Sequence, residues 1–537
     1  MPSAAKLTLP AYLANNMVLQ QRSVMKFTGT AAPNSFVRIY TSWNKENLTD
    51  SVGASGEFSI KVSIPEASQT EYFVRISELE KKGSRLVATE TKVFSNILIG
   101  EVWLCSGQSN MDMPIQGWGM VNNNAEEVRN ANYPMIRLFK VAAVSADHPS
   151  DDLPVSMSWT VCAPSSVPEF SAAAYFFGRE LYKSLNIPIG LVQSAWGGSN
   201  AEAWVPLEDF KTVSSAWARY SAGAQYSFNK DSVKKYFGWN NEHQVPTLLY
   251  NKMIHPLKSY PIRGAIWYQG ETNAWGSNYY TQLMDTLISS WRKDWGYKFP
   301  FYTVQLAGYM KQVDVQPSSN WAALRWDQQK TAVQMDSTGM ATAIDIGNQD
   351  DIHPKNKQEV GRRLALLALR KTYGKDVVAE APVPVRWDVG STKTTIVFNR
   401  KIHARADSIP VGFIYGSRRS SATGKVATAK IVNDTTIEIT SPTPYVRPVV
   451  RYNWADYPIG NLYGENNLPV LPFRTNDEHT MELVGIGKVY IAREPSSKPQ
   501  DVYSLDGTLL KKNASEDDIQ NLRKGIYIIG SKKTLVR

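Results

Sequence analysis

Two cysteines, Cys105 and Cys162, are all that this 537-residue chain carries. Their scarcity excludes a disulfide framework and any metal site built from paired cysteine spacings. Long apolar runs are lacking too. No stretch approaches the roughly 20 residues a membrane-spanning helix requires, so no membrane span is expected. The opening MPSAAKLTLP has neither the charged start nor the apolar centre of a signal peptide. A secreted, periplasmic or cell-surface location in a bacterium, the expectation here, would rest on a signal that this sequence does not include. Blocks of positive charge are also missing. The net charge of +10 comes from Lys and Arg scattered along the chain, which reads as a solvated basic surface with no nucleic-acid partner. Histidine is scarce as well, with six in all, and this narrows the search for a general base.

What is present falls into distinct texts, as the length of the chain requires, since two or three domains are expected. Residues 1–95 alternate in short runs broken by turns (SVMKFTGT, SFVRIYTSW, GEFSIKVSI, YFVRISEL), the pattern of an N-terminal β-sandwich-like domain. From 96 to 375 the buried-strand segments ILIGEVWLC, PIGLVQSAW, IRGAIWYQG, FPFYTVQLA and MATAIDIG alternate with amphipathic helical stretches. Strand, helix, strand in that order predicts an α/β fold, a doubly wound parallel sheet with helices on both faces. Strands return in a C-terminal β-rich region, 376–480 (TTIVFNR, TTIEITS, VVRYNWA). Residues 481–537 form a small β module of two or three strands around a DG turn, docked as a terminal strand pair or standing alone.

The segment GEVWLCSGQSNM, at 100–111, runs from an apolar strand into a small polar turn. A strand ending in such a turn presents its next side chain at the carboxyl edge of a parallel sheet, beside the N–H groups of the following helix. Ser109 is therefore the candidate nucleophile. Among the histidines only His353 lies between a strand end and a helix start, in DIGNQDDIHPKNKQEVGRRLA, and it is the candidate base. Its other ring nitrogen needs an acceptor. Asp350 and Asp351 are both within reach. The three-residue spacing favours Asp350, and a helix N-cap is the plain structural role for Asp351. Oxyanion donors are sought in the Ser109 N–H, in Gly197 and Gly198 of WGGSNAEAW, and in the Asn273 amide of YQGETNA. Gln269 and Glu271 share that last turn and are candidates for substrate binding, with a buried structural acceptor the alternative for Glu271. Of the 16 tryptophans, Trp196, Trp204, Trp267 and Trp275 lie close enough to offer a sugar platform, although core packing accounts for most tryptophans.

In this order GQSNM, WGGSNAEAW, WYQGETNA and DIHPKNKQEVGRRLA resemble the successive blocks of SGNH (GDSL-type) hydrolases, and more narrowly those of the sialate O-acetylesterase and acetylxylan esterase group. LPAYLANNMVLQQ resembles that group's N-terminal β domain and VVRYNWADYPIGNLYGENNLPVLPFRT its usual end, so the resemblance covers roughly residues 7–475. It implies a three-layer α/β/α catalytic domain flanked by β domains. It also implies Ser109 as nucleophile, His353 as base, and Gly197, Gly198 and Asn273 as oxyanion sites. One departure is visible: Gly270 and Asn273 are separated by two residues, where the superfamily has Gly-x-Asn. Arg325 and Gln328, in ALRWDQQ, fall in a segment similar to the family's and are candidate supports of the site, with a surface ion pair the alternative for Arg325. VYSLDG…LRKGIYII…K resembles the C-terminal sorting domains of secreted Bacteroidetes proteins.

These readings predict acyl transfer from an acetylated carbohydrate to water, with no metal or organic cofactor. A Ser–His dyad assisted by a backbone carbonyl is the alternative to a triad. A carbohydrate-binding protein without catalysis would have no need of Ser109 and His353. A glycosidase would need opposed carboxylates such as Glu271 and Asp350, and would leave the serine unexplained.

Overall fold

The computed structural model describes residues 7–153, 157–221, 241–275, 278–316, 318–417 and 420–475, with shorter stretches between 500 and 536. The chain divides into two compact units, one of residues 1–312 and 320–380, the other of 313–319 and 381–537.

The first unit is organised by one strand, Arg85–Gly107 (β1), which is 23 residues long. Its first half alternates exposed and half-buried residues and pairs antiparallel with Ser68–Lys82. From Ile97 onward every residue is buried, because a central parallel strand is covered on both faces. The expected boundary at residue 95 therefore falls inside a strand. The N-terminal β region and the α/β region share a backbone, and they share a hydrophobic core running from Leu7 through Phe27 and Ile76 to Trp204 and Leu287.

The α/β sheet continues with Tyr133–Lys140 (β2), Trp159–Cys162 (β3), Ile189–Ala195 (β4), Gly264–Tyr268 (β5), Phe301–Gln305 (β6) and Thr338–Thr342 (β7). Its order is β7-β6-β5-β1-β4-β2-β3. All neighbours are parallel except the last pair, β2 and β3. Sequence periodicity finds every strand but β2 and β3, whose surrounding text is polar. Helices Ala172–Leu185 (α2) and Lys357–Leu367 (α5) bury their apolar sides in one core cluster. They approach so closely that a Cβ on Gly361 would stand 2.6 Å from the Phe177 backbone nitrogen. Tyr280–Trp295 (α3) contributes Leu283, Leu287 and Trp291 to the other cluster, and Asn320–Gln334 (α4) adds Trp321 and Leu324. This is the three-layer α/β/α arrangement expected.

The second unit is β-rich, as predicted. Two four-stranded sheets surround Ile396, Phe398, Phe413, Ile437 and Val450. A further four-stranded sheet is formed by Gln500–Tyr503, Leu509–Ala514, Gly525–Ile529 and Lys532–Val536. The predicted turn at Asp506 and Gly507 lies outside the described residues, as does His479.

Candidate active site

Strand order reverses around β1, which lies between β4 and β5, and such a switch point opens a crevice at the carboxyl edge. Gly107 pairs with Ala195 on one side and Tyr268 on the other, so three turns leave the sheet at one level. Gly107 has φ +141, and a Cβ there would sit 2.1 Å from the Tyr268 carbonyl oxygen. Only glycine fits. The Gln108 N–H donates to that carbonyl at 3.0 Å. The Gln108 Oε1 accepts from the N–H groups of Gly270 and Thr272 at 3.2 and 3.3 Å. Ser109 opens the short helix Ser109–Asp112 (α1), so its own N–H has no partner within the helix.

Ser109 Oγ and His353 Nε2 lie 3.0 Å apart. The loop that carries His353 is tied down at both ends: Arg363 of α5 holds the carboxylate of Asp345 at 2.6 and 2.9 Å, and Asn356 caps α5 by accepting from the Glu359 N–H at 3.1 Å. Asp351 Oδ1 accepts the His353 backbone N–H at 2.8 Å and stands 3.5 Å from Nδ1. Asp350, favoured by chain reach, is exposed and turns its N–H to the Asn348 side chain at 2.9 Å. The two-residue spacing lets Asp351 form a local turn on the histidine backbone, and that turn brings the carboxylate to the ring. Burial holds the His353 pKa below its ordinary value; Lys357 pushes the same way and Asp351 opposes. A histidine so placed is neutral at pH 7, the form that accepts a proton.

On the other side of Ser109 a Cβ on Gly197 would stand 3.4 Å from the serine Cβ. Among the described residues the N–H groups of Gly197 and Gly198 donate to no backbone carbonyl. The Gly198 carbonyl is held by Gln244 Nε2 at 3.1 Å and Thr272 Oγ1 at 3.3 Å. Gly197 thus lies against Ser109, while a Cβ on Gly198 would stand 3.1 Å from His243 Nε2.

Other expected participants are engaged elsewhere. Asn273 is buried, donates Nδ2 to Glu202 at 2.8 Å and accepts from the Ala201 N–H and Gln269. Gln269 is fully buried and bonded to Ser199, Asn273 and Tyr280, with no face for substrate. Glu271 is buried and accepts from Asn110 at 2.5 Å. Arg325 is neither on the surface nor at the substrate: it is 0% exposed and donates to the carbonyls of Leu306 and Ala307, shaping the turn after β6. Gln328 does similar work, bonding Gln269 and Val304. Trp204 and Trp267 are core residues packed edge to face. Trp196 is half-buried and stacks on His243, and Trp275 is exposed. The tryptophan that touches the histidine is Trp118, 58% exposed with its ring 5.1 Å from that of His353. No periodic signal singles it out, because it sits in an irregular loop. A cleft of about 490 Å³ at the amino-terminal edge of the sheet includes Arg22, Arg263 and Lys298 in its lining. These cations are paired with Glu66, Glu101 and Asp336, and the cleft takes no part in this constellation.

A three-layer sheet with these turns at its carboxyl edge is the architecture of the SGNH class of ester hydrolases. The family described as carbohydrate esterase, sialic acid-specific acetylesterase, matches residues 99–370. Sialate O-acetylesterase of Mus musculus is 31% identical over 422 residues, covering 70% of this chain and 75% of that protein. The Homo sapiens protein of the same name is 30% identical, over 70% of this chain and 73% of its own. A carbohydrate acetylesterase from Xanthomonas citri has a crystal structure that superposes with a TM-score of 0.75 at 34% identity, covering 88% of this chain and 99% of that one. The chain belongs to the sialic acid-specific acetylesterase family of carbohydrate esterases. It is a carboxylic ester hydrolase that removes O-acetyl groups from sugars.

Proposed function

We propose that deacetylation proceeds through an acetyl-enzyme on Ser109. The 3.0 Å contact between Ser109 Oγ and His353 Nε2 carries this reading. His353 takes the hydroxyl proton as Oγ attacks the acetyl carbonyl, and the new oxyanion is received by the N–H groups of Ser109, Gly197 and Gly198. Collapse breaks the bond to the sugar oxygen, which leaves with the proton from His353. Water, deprotonated by the same imidazole, then attacks the acetyl-enzyme, and acetate is released as His353 returns the proton to Ser109 Oγ. Asp351 orients the ring and offsets the charge it acquires.

The substrate is an acetyl ester on a sugar of the sialic acid class, a reading supported by the names of the mouse and human relatives. Trp118, exposed and edge-on to His353, offers an apolar wall for the sugar ring. Another acetylated carbohydrate, such as acetylated xylan, is the second reading, since the Xanthomonas citri enzyme is named only a carbohydrate acetylesterase. Among the described residues no helix is long and apolar enough to cross a membrane. We propose a secreted, periplasmic or cell-surface location, where acetylated carbohydrates would be met. Acetate release from an aryl acetate, from O-acetylated sialosides and from acetylated xylo-oligomers should vanish together in Ser109→Ala, and kcat/KM should be highest for the sialosides. Full activity in the alanine variant would remove Ser109 from the mechanism.

A further inference from the structure

Beneath the Ser109 turn lies a chain of buried polar side chains that acyl transfer does not itself touch. Lys357, Asn110 and Glu271 are 0, 1 and 4% exposed. The Lys357 ammonium donates to the Pro354 carbonyl at 2.6 Å and to Asn110 Oδ1 at 2.8 Å. Asn110 in turn donates Nδ2 to the Ile352 carbonyl at 3.1 Å and to Glu271 Oε1 at 2.5 Å. The pattern is specific to function in one respect. Asn110 follows the nucleophile in the chain, while Ile352 and Pro354 flank the base. The carbonyls on either side of His353 are therefore held by the neighbour of Ser109 and by the ammonium bonded to that neighbour.

Burying a lysine is expensive unless its charge is compensated. Here carbonyl and amide oxygens, the face of Tyr268 at 5.5 Å and the field of Glu271 compensate it only in part, and burial pushes the Lys357 pKa down to about 7. Packing of the first turn of α5 against β5 needs no charge, and an apolar side chain would fill the space at less cost. What the ammonium supplies is a fixed link between two turns that are 242 residues apart where Asn110 meets Ile352.

We propose that Lys357 is a positioning residue for deacetylation, acting through Asn110 and the Pro354 carbonyl to set the His353 loop against the Ser109 turn. The proposal rests on the reading of Ser109 and His353 as nucleophile and base. It has a second consequence besides geometry. The ionisable groups facing Lys357 are Glu271 from the turn after β5, Tyr268 from β5 itself, and Asp351 and His353 from the loop before α5. Lys357 carries its charge below about pH 7, the range in which the base protonates, and that charge lowers the basicity of His353 against the pull of Asp351. A lysine with only a packing role would change stability and leave the titration of the base where it is.

The test is kcat and KM for aryl acetate as a function of pH, in full-length wild type, Lys357→Met, Asn110→Ala and Ser109→Ala, with thermal unfolding of each. Lys357→Met should lose about ten- to a hundredfold in kcat with KM nearly unchanged, since loss of aligned geometry has effects of that order. The acid limb of its kcat/KM profile should move up by about half a pH unit. Asn110→Ala should lose kcat similarly and keep the wild-type acid limb, because the lysine remains. A folded Lys357→Met with wild-type kcat and acid limb overturns the proposal. If that variant does not unfold cooperatively, a folded Asn110→Ala with undiminished kcat overturns it in its place. Activity surviving in Ser109→Ala would strike at the nucleophile reading instead, whatever Lys357 does.

Discussion

Asp350 and Asp351 differ by one position, and the difference decides which carboxylate reaches His353. Asp351 lies 3.5 Å from Nδ1 and also holds the histidine's own N–H, so its replacement disturbs ring orientation and charge together. Asp351→Asn should lower kcat by about ten- to a hundredfold. That is less than the loss for a fully buried triad aspartate, because this carboxylate is partly open to solvent. Asp350→Asn should leave steady-state kinetics unchanged, and equal losses in the two would reverse the assignment. Because burial and Lys357 both hold His353 below its ordinary pKa, the neutral base persists as the medium is acidified. The acid limb of kcat/KM should accordingly fall below about pH 6.5, the ordinary histidine value, and a limb well above it would contradict that environment. Replacing Trp118 by Ala should reduce kcat/KM for acetylated sugars by about three- to tenfold, the range of one aromatic contact, and reduce that for small aryl acetates less.

At the scale of elements, the site exists because β4, β1 and β5 end at one level and each ends in a different turn. Gly107 is the pivot. A Cβ there meets main-chain atoms of Tyr268 that have nowhere to move. Gly107→Ala should destabilise by more than about 2 kcal/mol in urea unfolding, as strained backbone positions do, and should reduce activity by moving Ser109. These elements were largely legible in the sequence, because buried parallel strands are continuous apolar runs and the helices between them keep a three-to-four spacing. Ser109, His353 and the two glycines could be read from their places at strand ends. The turn residues themselves were harder to read. Gln269, Asn273, Glu271 and Arg325 are polar groups beside a reactive serine, and from sequence alone they look like substrate contacts. The fold turns each of them inward onto main-chain and side-chain partners, with Glu271 engaged through Oε1 alone. Asn110 and Lys357 were visible in the GQSNM and HPKNK segments, but a link across the fold leaves no periodic trace.

For the molecule as a whole, the N-terminal β region is no appendage. β1 belongs to both sheets, and Val18–Gln20 pairs in parallel with Leu98–Gly100. Trp159 donates to the Tyr12 carbonyl, and the buried Arg137 to those of Asn16 and Asn96. Removal of residues 1–84 should therefore abolish cooperative unfolding and activity together. Removal of 476–537 should leave kcat/KM for aryl acetate within about twofold, since every candidate site residue belongs to the first unit. If 481–537 serves export, that deletion would retain the enzyme in the cell without inactivating it. The central claim is that acetyl passes through Ser109, and the most direct test is mass spectrometry of enzyme quenched in acid during turnover of an aryl acetate. The account predicts an acetyl adduct on the peptide containing Ser109, absent from Ser109→Ala. An adduct on another residue, or undiminished turnover by Ser109→Ala, would contradict it.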